Sequence, residues 1–255
     1  MILCILPSLD YDPTESAVPW QALQQAGVQV RFATPTGAPA YADRRLTDTG
    51  FSIMSPVFMA KPTELAIYRE MTQDPHFLAP LPYADVDPDA FDGLLIPGGH
   101  APGVRSMLDS DQAKRITLGF FQAGKPIAAV CHGVLLPART QDPTTGKSVL
   151  HGRKSTGLPA FMELFAWFVT APWLGRYYRT YPCSVATELK AALADPRDYA
   201  HGPVLPLRDS ADNHRNGFVV EDGNYLSARW PGDCYRFAKR YSELVVQYQA
   251  NRGHR

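Results

Sequence analysis

The pentapeptide Ala129-Val130-Cys131-His132-Gly133 ends an apolar run on a nucleophile type flanked at both ends by small residues. The spacing small, any, nucleophile, any, small lets a chain turn sharply out of a strand and into a helix. Free N–H groups at such a helix start favour a thiolate and can hold an oxyanion. Cys131 is therefore the candidate nucleophile and His132 its neighbouring proton carrier. The plainer alternative is a buried cysteine beside a surface histidine. A second signal is Ile96-Pro97-Gly98-Gly99-His100, two glycines after an apolar run. They allow close backbone approach to a ligand, with the Gly99 amide as an oxyanion-hole candidate, or they make a simple tight turn. The third is Glu15, in the first turn of a helix predicted over 15–26. A carboxyl beside a thiol has a raised pKa and can act as general acid or base. The alternative is a glutamate that only caps the helix dipole.

These residues need a scaffold that brings three turns to one edge. Met1 to Pro7 reads as a buried strand, Val28 to Pro35 as a second, Phe91 to Pro97 as a third and Pro126 to Val130 as a fourth. Asp10 to Thr14 reads as a loop, with Thr14 capping the first helix. Further helices are predicted over 110–123, 160–169, 184–194 and 232–249, and one from His132 onward. Strands at 218–221 and 225–228, joined by Asp222-Gly223-Asn224, form a hairpin. The alternation predicts an α/β fold: a doubly wound, mostly parallel sheet, flavodoxin-like, with helices on both faces. In such sheets the site lies at the strands' C-terminal ends. Residues 36–90 are irregular, with one helix near 63–71, and form an insertion that is a lid, an interface or a plain decoration. The chain reads as one domain, 1–255, carrying that insertion.

Composition narrows the function. The chain has 255 residues, 45% of them hydrophobic, enough for a core without staples. Lys+Arg 25 balances Asp+Glu 25, which argues against a nucleic-acid binder. Four scattered cysteines fit a reducing compartment, and no apolar stretch reaches membrane-span length. The expectation is a cytoplasmic protein with no membrane or nucleic-acid partner and no cofactor. The histidines and cysteines show no metal-type spacing, so no metal is expected. His100 and His151 read as structural or pocket-lining, Cys4 as an inert core thiol. Gly146-Lys147-Ser148 is not a phosphate loop, because position 141 is Gln rather than Gly. The stripe Phe161, Leu164, Phe165, Phe168 has helical spacing and reads as core or dimer interface.

The Glu15 helix, Gly98-Gly99-His100 and Ala129-Val130-Cys131-His132-Gly133 together resemble the ThiJ/PfpI superfamily, a branch of the class I glutamine amidotransferase-like fold. Leu150 to Gly157 and the late hairpin echo it, so the likeness covers nearly the whole chain. The insertion resembles the branch of glutathione-independent glyoxalases and heat-shock chaperones. The resemblance implies a Cys131 nucleophile, Glu15 hydrogen-bonded to it, a catalytic His132, an oxyanion hole from the Gly99 and His132 amides, and a homodimer. It implies a cysteine-dependent enzyme acting on small carbonyl compounds. The alternatives are a cysteine peptidase or amidase, and a non-enzymatic redox-stress sensor or chaperone. The sequence departs from the family twice. No acidic residue clearly takes the third triad position, for which Glu163 is the nearest candidate. Arg229-Trp230 stands where relatives commonly carry Thr-Gly, to shape a pocket or to pack the last helix. No histidine has Glu two positions on, which argues against glutaminase activity.

Overall fold

The computed structural model describes residues 1–253. Nine strands run in chain order: β1 (Ile2–Ile5), β2 (Leu9–Tyr11), β3 (Val30–Thr34), β4 (Tyr41–Ala42), β5 (Leu81–Pro82), β6 (Gly93–Ile96), β7 (Ile127–Val130), β8 (Val219–Asp222) and β9 (Tyr225–Ala228). Seven of them form one sheet in the order β5-β3-β1-β6-β7-β9-β8. All neighbours are parallel except β8 and β9, the expected hairpin. β1, β6 and β7 are buried at every position, as parallel strands covered on both faces must be. Strand order reverses beside β1, so the crevice at its C-terminal end, next to β6 and β7, is where a doubly wound sheet places its site.

The helices are α1 (Pro13–Gln25), α2 (Ser55–Phe58), α3 (Pro62–Met71), α4 (Pro75–Leu78), α5 (Arg105–Leu108), α6 (Asp111–Gln122), α7 (Leu135–Arg139), α8 (Ala160–Leu174), α9 (Val185–Ala192) and α10 (Cys234–Gly253). They cover both faces of the sheet: α3 and α10 pack on α1, and α6 and α9 pack on α7. Among the described residues no helix is long and apolar enough to cross a membrane.

Several expectations need correction. The cap of α1 is Asp12, whose Oδ1 accepts from the amides of Thr14 at 2.8 Å and Glu15 at 3.1 Å. Pro13 at the first helical position lacks the N–H that would otherwise need a partner, so the helix starts two residues early. Part of the loop expected at 10–14 is strand: β2 pairs with β4 from the insertion. Residues 131–134 form a 3₁₀ turn, and the α-helix begins only at Leu135. The Phe161 stripe is not core: Phe161, Leu164, Phe165 and Phe168 are 47, 41, 53 and 75% exposed. Helical spacing fixes a face but not what that face meets.

The open question at Arg229 is answered by packing. Its guanidinium is fully buried against Asp233, donating through Nε at 2.9 Å and Nη2 at 2.8 Å, and through Nη1 to the Pro203 carbonyl at 2.9 Å. Asp233 also accepts the Phe218 amide at 2.9 Å. The pair thus ties the hairpin to the start of α10. Removing one partner leaves a buried charge uncompensated, which costs about 3–5 kcal/mol. Asp233→Ala should lower unfolding free energy by that amount in urea titration. A loss under ~1 kcal/mol would contradict the assignment.

Candidate functional site

Cys131 ends β7 with φ +58°, the left-handed region that a non-glycine side chain enters rarely. The surroundings hold it there. A Cβ on Gly133 would stand 2.4 Å from the Ile96 carbonyl oxygen, and one on Gly98 would stand 2.8 Å from the His132 nitrogen. The elbow is therefore pressed against the end of β6, and both positions must be glycine. Gly99 has φ +155°, and a Cβ there would meet the Asp10 carbonyl oxygen within 2.3 Å. The Gly99 amide has no acceptor among the described residues, so it is free for a ligand.

Glu15 is wholly buried one turn into α1. The Gly98 amide donates to its Oε2 at 2.8 Å, and its carboxyl faces the Cys131 thiol. Asp12 orients this carboxyl by capping the helix that carries it, and its own amide donates to the Gly98 carbonyl at 3.0 Å. Burial, then the charge of Asp12, pushes the Glu15 carboxyl well above the carboxylate range. Burial likewise raises Asp12 to about 7, against the two amides it accepts. Cys131 is also pushed up, by burial first and then by Glu15 and Asp12; the His132 amide opposes this by bonding to the sulfur. The helix start was expected to favour the thiolate. A five-residue α7 behind a 3₁₀ turn offers a weak dipole, and desolvation beside two carboxyls outweighs it.

On the other side of the sulfur, His132 Nδ1 lies 3.7 Å from Sγ. Its ring lies 4.9 Å from that of His100, tilted by 36°. Both imidazoles are kept neutral by burial, His100 with a pKa lowered to about 4. Glu163, the loosely placed candidate, arrives here from α8. One donor atom from each of His100, His132 and Glu163 lies within 4.8 Å of the others. His100 Nε2, His132 Nε2 and Glu163 Oε1 are buried without a hydrogen-bond partner. Glu163 Oε2 accepts the Val185 amide at 2.9 Å, and Arg179 Nη1 stands 3.6 Å from Oε1. The sequence carried no metal-type spacing because these donors come from three distant segments. A tetrahedral zinc ~2.1 Å from each ligand would need them drawn to ~3.4 Å apart. His151 lies elsewhere, exposed beside Lys147.

A cavity of about 690 Å³ opens over this cluster. Cys131, Gly99, His100 and Asp12 reach it from the sheet edge. The roof comes from the insertion and from the segment after α8. Phe51 packs on Phe58 at 5.3 Å and on Tyr178 at 5.5 Å, and Tyr178 continues to His100 at 5.3 Å. Asp43 accepts from the Tyr178 hydroxyl at 2.5 Å. Trp230 lines the wall, so the two residues of the departing motif divide the roles: Arg229 packs and Trp230 faces the pocket. Asp12 and the roof residues were missed in the sequence. Asp12-Pro13-Thr14-Glu15 does carry a cap signature; the roof carries no local signal.

A parallel α/β sandwich with a cysteine on a left-handed elbow, flanked by a carboxyl and an imidazole, defines a class of cysteine sites. Residues 6–203 match the family described as ThiJ/PfpI family-like, and the chain belongs to it. It is 27% identical over 169 residues to the deglycase PfpI of Pyrococcus furiosus, covering 65% of this chain and 69% of that protein. It is 29% identical over 250 residues to an uncharacterized protein of Schizosaccharomyces pombe, covering 96% and 84%. The fold is also that of glyoxalase III from Candida albicans, with a TM-score of 0.66 and 18% identity, covering 97% of this chain and 96% of that one.

Burial raises the Glu163 carboxyl from 4.5 to about 7, against the Val185 amide and Arg179. A raised folded-state pKa contributes stability that is complete below the unfolded value and lost as pH rises through the folded one. Glu163→Gln stays neutral throughout. The wild type should therefore lose about 3 kcal/mol relative to Glu163→Gln between about pH 4 and pH 8. Parallel urea titrations test this; curves that keep a constant offset would refute the burial argument.

Proposed function

We propose that this protein is a cysteine-dependent enzyme acting on carbonyl compounds, of the glutathione-independent glyoxalase or deglycase kind. The observation that carries the reading is Cys131, held between the Glu15 carboxyl and the His132 imidazole at the floor of a cavity. The names of the deglycase and glyoxalase III relatives support the same class.

With a 2-oxoaldehyde the chemistry balances without an added oxidant. Sulfur attacks the aldehyde carbon as the thiol proton passes to neutral His132 Nδ1, and a C–S bond forms. The carbonyl electron pair moves to oxygen, which meets the Gly99 amide and takes a proton from neutral Glu15. The Glu15 carboxylate then removes the C1 hydrogen of the hemithioacetal, the electron pair passes to the C2 oxygen as an enediolate, the His132 imidazolium protonates carbon C2, and the C1 hydroxyl proton passes to the C2 oxygen. C1 is oxidised to a thioester while C2 is reduced to an alcohol. Water cleaves the thioester, giving a 2-hydroxy acid and free Cys131. Glu163 is a positioning residue, its Oε1 aimed at the His132 and His100 rings. The same floor could serve acyl transfer, since a carboxyl, an imidazole and an amide donor suit a tetrahedral intermediate equally. A redox-sensing role is disfavoured: Cys131 is 4% exposed and its thiol is pushed up rather than down.

Lactate should form from methylglyoxal without glutathione, and Cys131→Ala should reduce kcat/KM by at least about 10³-fold. Turnover retained by that variant would sink the reading. The rate should also hold level through neutrality, where the Cys131 thiol, the Glu15 carboxyl and the His132 imidazole all keep their neutral forms. It should show no limb near pH 6.5, the ordinary histidine value, because His132 titrates well below it. An activity that falls away above that point would contradict the assigned proton positions. Glu163→Gln should cut kcat by roughly 10–100-fold with KM little changed, at or below the ~10²-fold floor of a direct general acid–base group, because Glu163 acts through His132.

A further inference from the structure

The geometry points to a substrate whose reacting carbonyl bears a bulky apolar group, aryl or branched alkyl, rather than a two- or three-carbon dicarbonyl. This rests on the carbonyl chemistry proposed above. The first argument is size. The cavity holds about 690 Å³. A five-atom oxoaldehyde fills only about 150 Å³, even at the ~30 Å³ per atom that a water takes in the liquid. The rest must hold water against its walls or be filled by more substrate.

The walls decide between these. Phe51, Phe58, Leu158, Phe161, Phe165 and Trp230 enclose the space above the sulfur. The charged and hydroxyl side chains in the same wall are already engaged, and the unpartnered Trp230 indole N–H is itself buried. Arg208 donates to both Glu64 oxygens at 3.1 and 3.2 Å, Lys61 Nζ to the Pro56 carbonyl at 2.8 Å, and Thr170 to the Ala166 carbonyl at 2.7 Å. Water in such a space gains few hydrogen bonds, whereas an apolar group gains contact on every side.

Exposure gives a third argument. Phe161 and Phe165 line the cavity yet stand about half exposed, as does Val57 on the opposite rim. Apolar side chains that face a concave site and stay open to solvent mark a surface awaiting an apolar ligand. The reactive floor and the apolar wall also come from largely different parts of the chain. The floor sits on α1 and the ends of β6 and β7, with Glu163 joining it from α8; the wall sits on the insertion, α8 and Trp230 after β9. Binding energy from that wall can therefore act on a group remote from the sulfur and be expressed in the reaction rate.

The test compares kcat/KM for phenylglyoxal and methylglyoxal. The aryl compound should be favoured at least 10-fold, in the range that extra apolar groups contribute in a hydrophobic pocket. Phe161→Ala and Phe51→Ala should each lower that ratio at least fivefold, which separates wall contact from the intrinsic reactivity of the two aldehydes. A ratio near one, or one that neither variant moves, overturns the inference. If neither aldehyde turns over, the proposed activity fails by itself, and the wall is then read by binding alone. Cys131→Ala should take up acetophenone saturably and at least 10-fold more tightly than acetone, seen as a fluorescence change that Trp230→Phe removes. Equal or absent binding of the two ketones would overturn it.

Discussion

The site depends on one steric constraint: the turn after β7 must pass against the end of β6 with no side chain between them. A methyl on Gly133 would collide with the Ile96 carbonyl, and a methyl on Gly98 with the His132 nitrogen and Glu15 Oε2. Because the two backbones touch there, Cys131 is driven into the left-handed region. Its sulfur then leaves the sheet toward the cavity instead of continuing the strand's alternation. The same approach brings Gly98 N–H within 2.8 Å of Glu15, so a third strand's turn is fixed by the hydrogen bond that orients the carboxyl. Strain at one residue is thus over-determined by contacts from β1's helix, β6 and β7 together.

Burial makes this cluster a store of protons rather than of charges. Asp12, Glu15 and Cys131 are all pushed toward their neutral forms, and His100 and His132 toward neutral imidazole. In water these groups would carry charges of both signs. Desolvation removes that option, so each can exchange a proton with a reacting group without first breaking an ion pair. The compensating charges stay one layer out. Arg208 meets Glu64 behind Asp12, and Arg179 stands beside Glu163 behind the histidines. The ion pair of Arg229 with Asp233 is separate in purpose, since it anchors the hairpin that closes the sheet beside β7.

The parts legible in the sequence are those that local backbone chemistry determines. Gly98, Gly99 and Gly133 mark the turns because no other residue fits, and a wholly apolar β1, β6 and β7 can only be buried parallel strands. Glu15 follows from its place one turn past a strand. Asp12 was obscured because Thr14 competes as a cap by residue type. Only the fold shows that the Thr14 hydroxyl turns toward Glu64, at 3.3 Å. Glu163 was hidden for another reason. Its approach to His132 depends on α8 docking on the amide of Val185, a contact across segments that no spacing encodes. The thiol's direction of shift is not legible in the pentapeptide, because helix length and desolvation are properties of the packed molecule.

The roof is where sequence periodicity is least informative and where the chain has most freedom. Leu46, Phe51, Phe58 and Tyr178 form a small apolar cluster apart from the main core, built on a π-helical turn at Arg45–Thr49 and short 3₁₀ and α turns. The cluster joins the floor through Ala101, one of its members, through the Tyr178 ring 5.3 Å from that of His100, and through the Thr180 bond to the His100 carbonyl. The steric constraint at Gly98 and Gly133 is one of backbone against backbone, whereas the roof is held by side-chain contacts. In the proposed reading, reaction class and substrate size are therefore set by largely separate stretches of chain, which meet on α8. His100 is a residue through which a change in the roof would reach Cys131, since its ring lies 5.3 Å from that of Tyr178 and 4.9 Å from that of His132.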